Sequence, residues 1–306
     1  MKENNFEGVF TAIVTPFTKN YLIDFSAFDI LITKQIQAGA SGIVVCGTTG
    51  ESPTLKLDEK LKIIKKATIN CKDKIMLIAG ASSNSTTHAS NLQKYLEKLD
   101  ITATMHCVPW YNIPNQDGIY NHFKTISKIA NKPIIMYNAP KRCGTEIKNE
   151  TIIKIAKKCS NIVAIKDADT NSLKIQNYIE ILKTERPNFK ILGGEDSFLL
   201  PILSLGGHGI ISVASNLVPK MFIELYNAFK FGQVKEAKII AGKLSKLLKL
   251  CLLDNNPIPI KTALGSLGLI SPIFRLPLYP MKIKKRRFFI KALSDLNYTN
   301  YIVENY

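Results

Sequence analysis

No stretch of this 306-residue sequence approaches the ~18 consecutive apolar residues that a membrane-spanning helix needs. The first apolar run, Val9 to Val14, is short, follows a polar start carrying Glu3, and leads into Pro16, so no secretory signal is expected. Cysteine is sparse, and Cys46, Cys71, Cys107, Cys143, Cys159 and Cys251 form no CxxC pair, which removes the usual zinc and redox signatures. Cys46 and Cys107 lie in apolar runs and are expected to be buried thiols. The four histidines (His88, His106, His122, His208) are scattered without an HExxH spacing, so no metal site is expected. Glycine is absent from Thr11 to Asn20, where a dinucleotide-binding sheet would carry its phosphate loop.

Acidic residues are also few: 24 Asp and Glu stand against 41 Lys and Arg, a formal charge of +17. Such an excess can serve nucleic acid or a membrane surface. Here the lysines are spread along most helical segments, and Ile, Asn and Lys are all abundant, which fits a solvated basic surface. The one dense block, Lys282, Lys284, Lys285, Arg286 and Arg287, reads as one polar helix face. Neither a nucleic acid nor a membrane is expected as a partner. With 46% hydrophobic and 21% charged residues, the chain has the composition of a folded globular protein, and a cytoplasmic location is expected.

What is present is an alternation of two periods. Eight short runs rich in Ile and Val recur: Val9–Phe17, Gly42–Gly47, Ile75–Ala81, Ala103–Pro109, Pro133–Pro140, Ile162–Ala168, Phe189–Gly193 and Gly209–Ala214. Near-continuous apolar character marks parallel strands covered on both faces. Amphipathic stretches lie between them, at Asp24–Ala38, Leu57–Asn70, Ser85–Leu99, Gln116–Ala130, Asn149–Lys158 and Ser172–Thr184, with Asp24, Ser85 and Asn149 placed as caps. Eight strand–helix units predict an α/β fold, a (β/α)8 TIM barrel, over an open doubly wound sheet. The barrel is expected to span residues 1–233. A C-terminal helical extension over 234–306 follows, with segments at Val234–Leu253 and Lys282–Leu293 and a break at Pro257 and Pro259.

In such a barrel the chemistry sits at the C-terminal ends of the strands. Lys166 ends an apolar strand, Asn161-Ile-Val-Ala-Ile-Lys-Asp167. Burial there would disfavour its ammonium and leave a neutral amine, a good nucleophile toward a carbonyl carbon. The alternative is a lysine that snorkels out and pairs with Asp167. Tyr137 ends the preceding strand, either as a proton carrier or as a core tyrosine. Gly47-Thr-Thr-Gly-Glu51 follows the second strand and offers hydroxyls and amides as a carboxylate cradle, or is a plain polar turn. Gly206-Gly-His-Gly209 is explained by a turn alone.

Taken together and in order, these stations resemble the dihydrodipicolinate synthase family, within the pyruvate-dependent aldolases. The resemblance runs from Gly8-Val-Phe-Thr-Ala-Ile-Val-Thr-Pro16 through Gly47-Thr-Thr-Gly-Glu51, Pro109-Trp-Tyr-Asn112, Tyr137-Asn-Ala-Pro140, Ile165-Lys166, Gly206-Gly-His-Gly-Ile-Ile-Ser-Val213 and Asn256-Pro-Ile-Pro-Ile-Lys261 to Arg275-Leu-Pro277. It implies a (β/α)8 barrel with a C-terminal helical region. The activity implied is that of a Schiff-base lyase, 4-hydroxy-tetrahydrodipicolinate synthase, which condenses pyruvate with L-aspartate 4-semialdehyde in the diaminopimelate route to lysine, without a cofactor. By the same resemblance, Lys166 would form the imine, Tyr137 would move protons, and Thr48 and Tyr111 would complete a relay to solvent. Thr49 would hold the pyruvate carboxylate, Arg142 that of the semialdehyde, and the backbone of Gly194 and Ile211 would line the pocket. A homo-oligomer is implied, a tetramer built from tight dimers, in which Tyr111 reaches a neighbouring subunit's site.

Departures bear on substrate preference. The stretch after the lysine is Asp167-Ala-Asp-Thr170 where many relatives carry Glu-Ala-Thr-Gly, Trp110 replaces a tyrosine, and Glu195 replaces an aspartate. The alternative is a sister lyase acting on a sialic acid or keto-deoxy sugar acid. Arg142 favours the synthase, because a guanidinium suits a short carboxylate substrate. Feedback inhibition by lysine is expected to be weak or absent. Ser52 and Asn84 match the ligand site of sensitive relatives, but His88 replaces an acidic residue, Leu57 and Lys60 replace two histidines, and Pro53 replaces a small residue.

Overall fold

The computed structural model describes residues 5–298. Among these residues eight strands are present: β1 Gly8–Ala12, β2 Gly42–Val45, β3 Met76–Gly80, β4 Ala103–Cys107, β5 Ile134–Asn138, β6 Ile162–Asp167, β7 Lys190–Gly193 and β8 Gly209–Ser212. They close into a barrel in the order β1 to β8, and the registered pairs are all parallel. The intervening helices are α1 Phe25–Ala38, α2 Leu57–Cys71, α3 Thr86–Leu96, α4 Gln116–Ile129, α5 Pro140–Cys143, α6 Asn149–Lys158, α7 Ser172–Glu185 and α8 Leu199–Ser204. After β8 the chain continues as α9 Pro219–Lys230, α10 Val234–Cys251, α11 Ile258–Ser266 and α12 Ile283–Asp295. The eight apolar runs are thus the eight strands of a (β/α)8 barrel with C-terminal helices. No helix among the described residues is long and apolar enough to cross a membrane.

The described chain forms two compact units: Ile78–Ile211 with the residues up to Gly8, and Val9–Leu77 with Ser212 onward. In the first, one irregularity of register sets up the chemistry. β5 and β6 begin with Ile134 opposite Ile162, then step to Ile135 opposite Ala164, so Val163 is passed over. Without that step Tyr137 would pair with Ile165. With it, Tyr137 pairs with Lys166 and Asn138 with Asp167. Side chains alternate along a strand, so a one-residue slip would send Lys166 to the opposite face from Tyr137. In the same unit Gly209, at φ 153°, lies so close to Gly8 that a Cβ would meet the Gly8 carbonyl oxygen at 2.0 Å.

In the second unit, Phe10, Thr11 and Ala12 of β1 pair with Gly42, Ile43 and Val44 of β2. The buried Thr11 hydroxyl donates to Gln35 Oε1 at 2.7 Å, and Gln35 Nε2 donates to the Ser215 carbonyl at 3.1 Å. Polar groups inside a core must be paired in this way. The apolar run overshoots the strand here: Val14 to Phe17 leave the sheet, the Val14 amide donating to Asn216 Oδ1 at 3.1 Å.

Capping follows the sequence at two of three places. Asp24 accepts from the Ala27 amide at 3.0 Å and Ser85 from the His88 amide at 3.4 Å. Asn149 is a correction: α6 caps on Lys148, whose carbonyl already accepts from Thr151 and Ile152, and the Asn149 side chain instead donates to the Lys174 carbonyl at 2.9 Å. The basic block lies on α12, with Lys284, Lys285, Arg286 and Arg287 all exposed, and Lys285 donating to Asp254 at 3.0 Å.

Candidate active site

Lys166 lies near the C-terminal end of β6 and is only 5% exposed. Its Nζ sits 4.4 Å from the centre of the Tyr137 ring on β5. Burial pulls the Lys166 ammonium down to about 8; Asp196, Cys107 and Glu195 oppose this, while Arg142 adds to it. Desolvation wins because a charge surrounded by protein loses its hydration, and the facing carboxylates restore only part of it. Burial also pushes the Tyr137 phenol well above its ordinary range, so at neutral pH it holds its proton. The pair is therefore an amine with a substantial neutral fraction beside a phenol able to donate.

The alternative in which Lys166 pairs with Asp167 does not hold. Asp167 projects to the other face of β6, where Asn138 Nδ2 and the Asp169 amide each donate to Oδ1 at 2.9 Å. The Tyr178 hydroxyl on α7 donates to its Oδ2 at 3.1 Å. Burial lifts the Asp167 carboxyl to about 6 against these donors and Lys174. The carboxylate thus ties β5, β6 and α7 together behind the lysine.

Asp169, a second departure after the lysine, is held by an ion pair. Lys174 Nζ donates to Asp169 Oδ2 at 2.8 Å and to Glu146 Oε2 at 2.6 Å. Arg142 is exposed on α5, one residue before the buried Cys143, and its charge acts on both Lys166 and Tyr137. The Gly194 amide donates to the Asp167 carbonyl at 2.6 Å, and a Cβ there would meet Ala168 at 3.0 Å. Ile211 is fully buried in β8. Tyr111 stands almost wholly in solvent, 88% exposed, with a left-handed backbone at φ 76°.

In the other unit the loop after β2 carries Thr48, exposed, and Thr49, buried. Thr49 Oγ1 accepts from Asn256 Nδ2 at 3.0 Å, which leaves the hydroxyl hydrogen free to be donated elsewhere. Glu51, in a left-handed conformation at φ 55°, is buried against Lys261 of α11, Oε1 to Nζ 2.5 Å. Lys261 also donates to the Thr15 carbonyl at 3.0 Å and lies over the rings of Phe17 and Phe274. Burial brings its ammonium down to about 8, with Glu51 opposing. Arg275 clamps the same region, with NH1 and NH2 donating to the two Glu59 oxygens at 2.8 and 2.6 Å. Asn256, Glu51 and Lys261 stood in the sequence only as parts of ordered stations; their support of the threonine loop is a product of the fold.

A closed barrel that sets a desolvated lysine beside a protonated tyrosine at its strand ends has the groups that a (β/α)8-barrel lyase of the aldolase type needs. The Dihydrodipicolinate synthetase family model matches residues 5–296. A protein of Chlorobium phaeobacteroides named 4-hydroxy-tetrahydrodipicolinate synthase is 40% identical over 290 residues, covering 94% of this chain and 97% of that one. The dihydrodipicolinate synthase structure from Thermotoga maritima superposes with a TM-score of 0.92 at 36% identity, covering 95% of this chain and 99% of that one. The synthase from Acinetobacter baumannii, solved in complex with pyruvate, gives a TM-score of 0.91 at 34% identity, covering 95% and 98%. The chain belongs to the dihydrodipicolinate synthetase family.

Proposed function

We infer that the protein is a 4-hydroxy-tetrahydrodipicolinate synthase that condenses pyruvate with L-aspartate 4-semialdehyde through an imine on Lys166. The observation that carries this reading is the desolvated Lys166 amine 4.4 Å from the Tyr137 ring. The neutral amine attacks the pyruvate keto carbon, and water leaves as the imine forms. The cationic nitrogen draws electron density from the adjacent methyl group, which gives up a proton to become an enamine. The enamine carbon then bonds to the aldehyde carbon of the second substrate. Tyr137, holding its proton, donates to the departing oxygen and can recover the proton later.

Thr49 fits the pyruvate carboxylate, since Asn256 occupies its oxygen as acceptor and leaves its hydrogen to donate. Thr48 and Tyr111, both exposed, suit a relay between the phenol and solvent. The backbone of Gly194 and Ile211 lines the pocket in this reading. The exposure of Tyr111 and the neighbouring Ile113, 88% and 59%, supports a second copy covering this rim, in a dimer or a tetramer of tight dimers. A cytoplasmic location accords with six free cysteines.

The sister-lyase alternative is tested at Arg142. Arg142→Ala should weaken use of the semialdehyde while leaving pyruvate trapping largely intact. A charge-assisted carboxylate contact contributes about 1.5–3 kcal/mol, so kcat/KM for the aldehyde should fall roughly 10- to 150-fold. An equal loss of imine formation would refute this division of labour.

The lowered Lys166 value sets a pH dependence. Attack requires the neutral amine, whose fraction reaches one half at a pH of about 8 and nears completion a unit or more above it. The rate of pyruvate imine formation, followed by borohydride quench, should rise about tenfold per pH unit below that value and level off above it. A rate still climbing through pH 10 would mean an amine with an ordinary lysine value.

Lysine should inhibit weakly. His88 and Lys60 stand where a cationic ligand would need acidic or neutral partners, and one missing charge-assisted contact weakens affinity roughly 10- to 150-fold. Titration with L-lysine should give half-inhibition above about 1 mM, corresponding to a binding free energy no better than about 4 kcal/mol.

A further inference from the structure

Two buried thiols meet beside this site and have no part in the imine chemistry. Cys107 ends β4 and Cys143 ends α5, and their sulfur atoms lie 3.3 Å apart. The fold brings them together in a definite way. Cys107 is registered opposite Tyr137 on β5. Past β5 the chain folds back on Ala139, whose carbonyl accepts from the amides of both Arg142 and Cys143 at 3.0 Å. Gly144 then ends the turn in a left-handed conformation at φ 71°. The β4 side is fixed by the Cys107 amide, which donates to Ser82 Oγ at 2.8 Å. From 3.3 Å the sulfurs need close by only about 1.3 Å to reach the length of a disulfide.

We propose that Cys107 and Cys143 form a modification site, oxidised reversibly by a small hydroperoxide to a disulfide that ties the Arg142-bearing turn to β4. Cys143 is the attacking thiol. The hydrogen bond shared with Cys107 and the charge of the adjacent Arg142 hold it below the ordinary range, while the same bond and burial push Cys107 up. The Cys143 thiolate attacks one peroxide oxygen; the S–O bond forms as the O–O bond breaks, and the departing oxygen takes a proton and leaves as water. The Cys107 sulfur then attacks the sulfenic sulfur. The S–S bond forms, the S–O bond breaks, and the oxygen leaves as a second water with the proton of Cys107. Two thiols have lost two electrons and hydrogen peroxide has become two waters. A low-molecular-weight dithiol reverses the change. The reagent is no larger than pyruvate, which must reach Lys166 nearby. The consequence for catalysis rests on the reading of Arg142 given above.

The test uses the full-length protein, equimolar hydrogen peroxide, alkylation, and peptide mapping without reduction. The expected result is a cross-linked peptide joining Cys107 to Cys143 and the loss of two of the six alkylatable thiols, both reversed by dithiothreitol. Cys143→Ser should abolish the cross-link and the paired loss. Sulfinic acid at either residue without a cross-link, or a bridge between another pair, would overturn the assignment. The cross-linked enzyme should still trap pyruvate at Lys166 but use the semialdehyde at least roughly tenfold less well, the scale of a lost charge-assisted contact. Undiminished semialdehyde use with the bridge in place would overturn the functional consequence. If the reduced protein traps no pyruvate at Lys166, the reading of the reaction fails, and the cross-link is still decided by the peptide map.

Discussion

Lys166→Ala should abolish the condensation to within the background of the assay, a loss of at least about 10³-fold in kcat, because it removes the covalent route rather than one contact among several. The variant should fold. Lys166 is buried with its charge disfavoured, so replacing it by a methyl group relieves desolvation and leaves a small polar-lined space at a strand end. Circular dichroism and the thermal midpoint should therefore stay near those of the parent while activity disappears. Lys166→Arg is the sharper control. It keeps a cation and adds bulk, but a guanidinium stays charged at any working pH and cannot attack a carbonyl. Activity retained in either variant would place the nucleophile elsewhere.

The second large effect is on stability. Lys261→Met removes one partner of an ion pair whose two side chains are wholly buried, and leaves the Glu51 carboxylate without the ammonium and with the Arg275 amide, at 3.3 Å, still donating to it. Breaking a buried pair on one side costs about 3–5 kcal/mol. Denaturant unfolding should show a loss of that order. The double variant Lys261→Met, Glu51→Gln should recover much of it, since no lone charge is then buried. Activity should follow stability in the single variant, because Glu51 lies two residues after Thr49 and its left-handed backbone shapes the same turn. A single variant as stable as the parent would show that Glu51 escapes to solvent.

The strands and the principal chemistry were legible because both leave local marks. A parallel strand covered on both faces must be apolar almost throughout, and a lysine or tyrosine at its end breaks that pattern visibly. Lys166 and Tyr137 stood out for this reason. What joins them was not legible. The passage over Val163 decides whether Tyr137 faces Lys166 or Ile165, yet Val163 is one β-branched residue in an apolar run like any other.

The same holds for pairings across long separations. Glu51 and Lys261, and Thr49 and Asn256, are more than two hundred positions apart, and nothing in either segment names its partner. Cys107 and Cys143 show no sequence signature because their proximity comes from strand register and a four-residue helix, not from spacing along one loop. Asp167 misled differently. Its place next to Lys166 suggested a partner, but neighbours along a strand point to opposite faces, and its partners are Asn138 and Tyr178. The cap at Asn149 was displaced by one residue because the Lys148 carbonyl could already begin the helix.

The central claim is tested most directly by borohydride reduction in the presence of pyruvate, followed by peptide mapping. Trapping should add one reduced pyruvyl group to the protein, on the peptide that contains Lys166 and nowhere else, and should be absent in Lys166→Ala. The label on Lys261 or any other lysine, or no label at all in a protein that catalyses the condensation, would contradict the account.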